Sequence, residues 1–282
     1  MTDHCLRLLR QHRRLAELAA FPFNFDLDRA ADGHAEPVRL ASGASLEAVA
    51  GCDTGGTYFV CADGSLLYAD SEGSAGTLGS SVDEALEILI GLPGWRDCLH
   101  LTPADGEAAI LARVTGIEEE MREYYGIDAE RAELRAALGL SDRSPVELLG
   151  MLHTALLRTE PDFLLLNAEE GCAYDLLDPH PRPPLWDSVR HEVPGDPADE
   201  PLSTWIRLAA EQGMTELARV ALIRRLDEMS MDQSSLLRPG SRKELDLSPL
   251  PWLAEEFERL GDLPQAERAR GLHARLQRGP AR

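Results

Sequence analysis

Apolar positions in the first twenty residues follow a helical period. Leu6, Leu9, Leu15 and Leu18 share one face, with Arg7, Arg10, Arg13 and Arg14 between them, which predicts one amphipathic helix over residues 2–20. Pro22 stops it. Phe21, Phe23 and Phe25 then alternate, as in an extended segment with one buried face. Across 36–70 the pattern becomes strand-like. PVRLA (37–41) is short and extended. TYFVCA (57–62) and SLLYA (65–69) flank Asp63-Gly64, a favoured tight-turn pair, and predict a hairpin entered through a turn at Gly55-Gly56. SEGSAGTLGSS, with Gly73, Gly76 and Gly79, reads as an irregular crossover whose small residues allow close packing.

Helical periodicity returns at 81–90. Ser81 and Glu84 form a capping box, Ala85, Leu86, Leu89 and Ile90 supply the apolar face, and Gly91 and Pro93 end the helix. GWRDCLHL (94–101) is a short amphipathic turn with Trp95 expected in the core. Three helices follow, over 106–125, 128–138 and 145–158, the last opened by the box Ser144-Pro145-Val146-Glu147. Glu118, Glu119 and Glu120 are expected on a solvated face. PDFLLLNAEEGCAYDLLDP reads as a second hairpin about an AEEG turn, extending or covering the first sheet. PHPRPPLW (179–186) is too rich in proline for a helix or inner strand and is expected to wrap the surface, with Trp186 pinned into it.

The acidic Pro/Gly run near 193–202 predicts a linker between an α+β domain (1–192) and a helical module (203–282). The module shows two helical pairs in which Gly213 matches Gly261 and Ala218 matches Ala266, each 48 residues apart. Each pair resembles a tetratricopeptide-type hairpin, though two units are fewer than a solenoid needs. The expected fold class is therefore α+β, a mostly antiparallel sheet flanked by helices, followed by an all-helical module.

Charge sharpens this picture. The 282 residues hold 49 Asp/Glu and 28 Lys/Arg, net −21, so a nucleic-acid backbone would be repelled. Residues 201–282 are nearly neutral, at 12 acids and 13 bases. From Leu40 to Trp95 there is no Lys, Arg or His, yet the window carries Glu47, Asp53, Asp63, Asp70, Glu72, Asp83, Glu84 and Glu87. Such a surface would project a negative field that steers a basic partner. All basic residues but Lys243 are arginine, which fits a high-GC bacterial genome. No apolar run is long enough to span a membrane, and the basic first helix lacks the features of a signal peptide.

Candidate chemistry is sparse. The five cysteines form no C-x-x-C pair, so neither a zinc site nor any other metal or cofactor is expected, and reduced thiols fit a cytoplasmic setting. The glycine run matches no phosphate-binding motif and has no cation beside it. Asp70 and Glu72 are the best of a weak set of acid–base candidates; no nucleophile–base pair stands out, so no enzyme is expected.

Three segments, GCDTGGTYFV (51–60), LLYADSEGSAG (66–76) and SVDEALEILI (81–90), resemble the SUKH superfamily, which includes bacterial toxin-immunity proteins and a fungal cell-wall regulator. The order is a glycine-marked turn, two strands, an acidic-glycine loop and a capped helix. FPFNFDLD replaces the family's usual L-P-x-x-[YF] motif. The resemblance implies a non-enzymatic binding domain that blocks a secreted toxin, often a nuclease with a basic active-site face. The expected contacts for such a basic toxin or nuclease are Asp53, Asp63, Asp70, Glu72 and Trp95. The alternative is a regulatory adaptor that binds a protein through its C-terminal helices.

Overall fold

The computed structural model describes residues 4–178, 202–236 and 248–278, and the chain divides into two compact units. One comprises residues 1–159 and 174–181; the other comprises 160–173 and 182–282. The expected wrap at 179–186 and all of the expected linker but Leu202 lie outside the described residues. The division is more interleaved than a cut at that linker would give, because 160–173 belong with the helical unit.

The first unit is α+β. Helices α1 (His4–Gln11) and α2 (Arg13–Ala20) replace the single expected helix, with an extended His12 between them. The kink lets Cys5, Leu6 and Leu9 from one helix and Leu18 and Ala19 from the other join the same core. Strand β1 (Val38–Leu40) precedes a sheet in the order β2 (Leu46–Gly51), β3 (Thr57–Cys61), β4 (Leu66–Ala69), β5 (Ser74–Gly79) and β7 (Asp175–Leu176). The first four are antiparallel, and β7 adds in parallel to β5.

The predicted hairpin forms as β3–β4 with Tyr58 opposite Tyr68. The expected irregular crossover is instead strand β5. Its small residues serve close packing, as read, but of a strand: a Cβ on Gly76 would stand 2.8 Å from Leu156 Cδ2, and one on Gly79 2.7 Å from the Ala85 backbone nitrogen.

Helix α3 (Val82–Gly91) lies against this sheet, and Leu86, Ile88, Leu89 and Ile90 are wholly buried, each contributing about 1.5–3 kcal/mol. Ser81 Oγ caps it by accepting the Glu84 N–H at 3.1 Å, while the Glu84 carboxylate turns to Ser80. Helices α4 (Glu107–Tyr124), α5 (Ile127–Leu138) and α6 (Pro145–Leu157) match the predicted three, and the Ser144–Glu147 box closes from both sides. Glu118 departs from expectation. It is buried, and Arg122 and Arg131 pair with it at 2.7 and 2.8 Å, as a buried carboxylate requires.

In the second unit, β6 (Leu165–Asn167) starts the expected second hairpin, with Leu166 bridged antiparallel to Ala173. The returning arm then leaves to form β7, so the segment does extend the first sheet. Helices α7 (Leu202–Glu211) and α8 (Thr215–Leu236) pair, as do α9 (Pro249–Arg259) and α10 (Leu263–Arg278). The 48-residue correspondence is structural. Gly213 and Gly261 both have positive φ, at 84° and 75°, just past a helix end, where a left-handed residue is needed. Ala218 and Ala266 are both buried. The 160–173 segment is held to these helices: Asp227 accepts the Ala173 N–H at 3.0 Å, and Gln265 and Arg268 donate to the Gly171 carbonyl at 2.6 and 3.1 Å.

Candidate functional site

Antiparallel pairing puts the β2–β3 turn (52–56) and the β4–β5 turn (70–73) at the same end of the sheet. The short helical turn Trp95–Cys98 meets them there. Ser71 Oγ donates to the Thr54 carbonyl at 3.1 Å, and Arg96 Nη1 donates to Thr54 Oγ1 at 2.8 Å.

Of the residues expected to meet a partner, Asp53, Asp70 and Glu72 come together at this end. Asp53 and Glu72 are exposed and, among the described residues, carry no ion pair. Asp70 is half-buried. Its carboxylate accepts the N–H groups of Glu72 and Ser74 at 2.9 and 2.8 Å, so it shapes the turn. Residues 70–73 form the turn between β4 and β5. Asp63 sits at the opposite end of the sheet, in the β3–β4 turn, where it holds Ser65 and pairs with Arg158 at 3.4 Å. Trp95 is 3% exposed and packs edge-on against Tyr68, with ring centroids 5.4 Å apart, so it is a core residue and offers no surface to a partner.

The base-free window is also less bare than its sequence. Arginines from outside it pair with three of its acids: Arg10 with Glu47, Arg143 with Glu87 and Arg158 with Asp63. Asp83 accepts the Cys5 N–H at 2.8 Å. Of the five window acids left without an ionic partner among the described residues, Asp53, Asp70 and Glu72 lie at the loop end and Asp83 and Glu84 at the start of α3.

Beneath that end lies a polar knot that residue spacing did not reveal. Arg96 stacks over the Tyr68 ring at 4.8 Å and the Trp95 ring at 5.5 Å. Its guanidinium donates to Cys52 Sγ at 3.0 Å and to Tyr68 Oη. Cys52 Sγ also accepts the Gly56 N–H at 3.2 Å and lies 3.2 Å from Thr54 Oγ1. Burial pushes the Cys52 thiol up, but hydrogen bonds from Thr54, Tyr68 and Arg96, with the Arg96 charge, outweigh it and hold the thiol below its ordinary range. Cys61 and Cys98, which have no such donors among the described residues, are pushed by burial to about 12 and about 11. Arg96 is the first base after the window and follows an anchoring tryptophan; that position was the one available signal.

Beside the knot is an open cleft of about 220 Å³ lined by Arg29, Asp32, His34, Cys52, Gly56 and Thr57, among others. The His34 ring spans Thr57 Oγ1 and Tyr174 Oη, each 3.1 Å away. No hydrogen bond joins Cys52 to His34 among the described residues. Among the described residues no group of three or more His, Cys, Asp or Glu could hold a metal ion. Nor is any helix among them long and apolar enough to cross a membrane.

Burial holds His34 below the ordinary histidine range against the upward pull of Glu36 and Asp70. The folded state thus binds fewer protons here than the unfolded chain, and stability should fall as pH drops below about 6.5. Thermal unfolding between pH 7.5 and 5 should show this loss, and His34→Gln should flatten the slope.

Comparison with protein-family models, with curated proteins and with solved structures gives no match.

Proposed function

We propose that the chain is a non-enzymatic protein-binding protein of the toxin-immunity kind, and that it occludes a basic partner through the acidic loop end of its sheet. The observation that carries this reading is the placement of charge. Asp53, Asp70 and Glu72 converge on one end; of the window's other five acids, Glu47, Asp63 and Glu87 are matched by arginines and Asp83 and Glu84 stand at the start of α3. The first unit holds 28 Asp/Glu against 13 Arg, net −15; the second holds 21 against 15 Lys/Arg, net −6. A field of this kind speeds association with a cationic surface, and the Arg96 knot gives the loops a fixed shape from which to present it. The resemblance of segments 51–60, 66–76 and 81–90 to the SUKH superfamily supports the same role. A bacterial cytoplasm is the proposed setting.

A panel of small basic and acidic proteins tests the reading. The full chain should select basic members, and affinity should fall at least tenfold between 50 and 200 mM salt. Selection of acidic members, or binding indifferent to salt, would contradict it.

A further inference from the structure

We infer that an aromatic patch formed by Phe21, Tyr124 and Tyr125 is a second contact surface, the apolar anchor for a basic protein segment that also carries apolar side chains. Buried aromatics are the rule in this chain: Tyr58, Tyr68, Phe23, Phe25 and Phe257 are each at most 2% exposed. Phe21, Tyr124 and Tyr125 are 60%, 76% and 40% exposed. They also touch one another. Phe21 meets Tyr125 edge-on at 5.0 Å, and Tyr125 lies 6.2 Å from Tyr124. Three rings from the ends of two helices thus form one contiguous exposed surface, and aromatic clusters of this type carry much of the energy of protein interfaces.

Charge selects the occupant. Glu120 and Glu123, one turn and one residue before Tyr124, are exposed and carry no ion pair among the described residues. Arg122, between them in sequence, is spent on Glu118 and Asp128 at 2.7 and 2.8 Å. The patch therefore has an apolar centre and an acidic rim, on a unit of net charge −15. A second copy would bring like charges together, and an anionic lipid surface would be repelled. A basic segment with apolar side chains satisfies both parts. This inference rests on the proposed function and adds a surface to it.

The test uses the full chain and two probes of equal charge, an amphipathic Leu/Lys peptide and an oligolysine. Tyr124 and Tyr125 are the exposed tyrosines, so nitration read by mass spectrometry reports on the patch directly. The Leu/Lys peptide should slow nitration of Tyr124 at least fivefold, and oligolysine should not. The double variant Phe21→Ala/Tyr124→Ala should weaken the Leu/Lys peptide about tenfold and leave oligolysine within twofold. Equal protection by both probes, no protection at saturating peptide, or unchanged affinity of the double variant overturns the inference. So does protection of Tyr124 by phosphatidylglycerol vesicles, or by self-association at raised protein concentration.

The two readings fail separately. If Asp53→Asn/Asp70→Asn/Glu72→Gln abolishes oligolysine binding while Tyr124 stays unprotected, only the patch falls. If Tyr124 is protected but that loop-end variant changes nothing, the patch stands and the loop-end reading falls. Binding of neither probe overturns both.

Discussion

Gly56→Ala should destabilise the α+β unit by roughly 3 kcal/mol, the upper part of the range for overpacking a closed core. The added Cβ would stand 2.5 Å from Tyr68 Cζ and 2.6 Å from Tyr68 Cε2, and closer still to its hydroxyl. The neighbour cannot swing aside. Tyr68 is wholly buried, its ring lies 4.9 Å from Tyr58 and 5.4 Å from Trp95, and Arg96 covers its face. The backbone cannot yield cheaply either, because Cys52 N–H donates to the Gly56 carbonyl at 2.9 Å while the Gly56 N–H donates to Cys52 Sγ. Denaturant unfolding should show the loss as a lower midpoint. In a Tyr68→Val background, where the obstructing ring is gone, the same glycine substitution should cost less than about 1 kcal/mol. A full cost in that background would mean that the contact with Tyr68 is not the reason for glycine at this position.

Trp95→Ala should cost about 3–5 kcal/mol, the usual range for truncating a buried tryptophan. Three losses combine. The indole leaves a cavity beside Tyr68, Arg96 loses one of the two rings on which it stacks, and the turn that carries Arg96 to Cys52 and Thr54 loses its anchor. Trp95→Phe should retain most of the fold. The comparison separates a core role from a binding role, since a partner-facing tryptophan would lose affinity and leave stability unchanged. Thermal unfolding of both variants decides it, and a stable, folded Trp95→Ala chain would contradict the packing described here.

The sequence made the local structure of the α+β unit readable because its signals are local. Asp63-Gly64 fixes the β3–β4 hairpin, Ser144-Pro145-Val146-Glu147 starts α6, and Gly91 with Pro93 ends α3. The errors have a common origin in contacts distant along the chain. Strand β5 reads as loop because its small residues are dictated by Leu156, Leu177 and the start of α3, none of which a window over 74–79 contains. The break at His12 has no proline or glycine to announce it and follows from two short helices reaching one core. Glu118 reads as solvated because Arg131, which completes its pairing, lies 13 residues away.

The candidate site was legible in the same partial way. Turn residues put Asp53, Asp70 and Glu72 in loops, and antiparallel order then carries them to one end of the sheet. Charge counting along the chain could not show that Glu47, Asp63 and Glu87 would be matched by Arg10, Arg158 and Arg143, which lie 37, 95 and 56 residues away. The Cys52–Arg96 contact spans 44 residues and has no motif. Folding therefore gathers three of the eight window acids at the loop end, matches three with arginine and leaves Asp83 and Glu84 at the start of α3.

Recognition at the loop end is set against recognition by net charge alone by two variants of equal charge. One variant, Asp53→Asn/Asp70→Asn/Glu72→Gln, neutralises the loop end, and the amide it places at position 70 keeps an oxygen to accept the turn's hydrogen bonds. The other, Glu47→Gln/Asp63→Asn/Glu87→Gln, removes the same charge from acids already paired with arginine. The quantity to measure is the association rate with the tightest-binding basic protein of the panel, at 50 mM salt. The loop-end variant should associate at least tenfold more slowly than the parent, and the other should stay within twofold. Equal slowing of both would mean that net charge alone steers the partner and that the loop end is not the recognition surface.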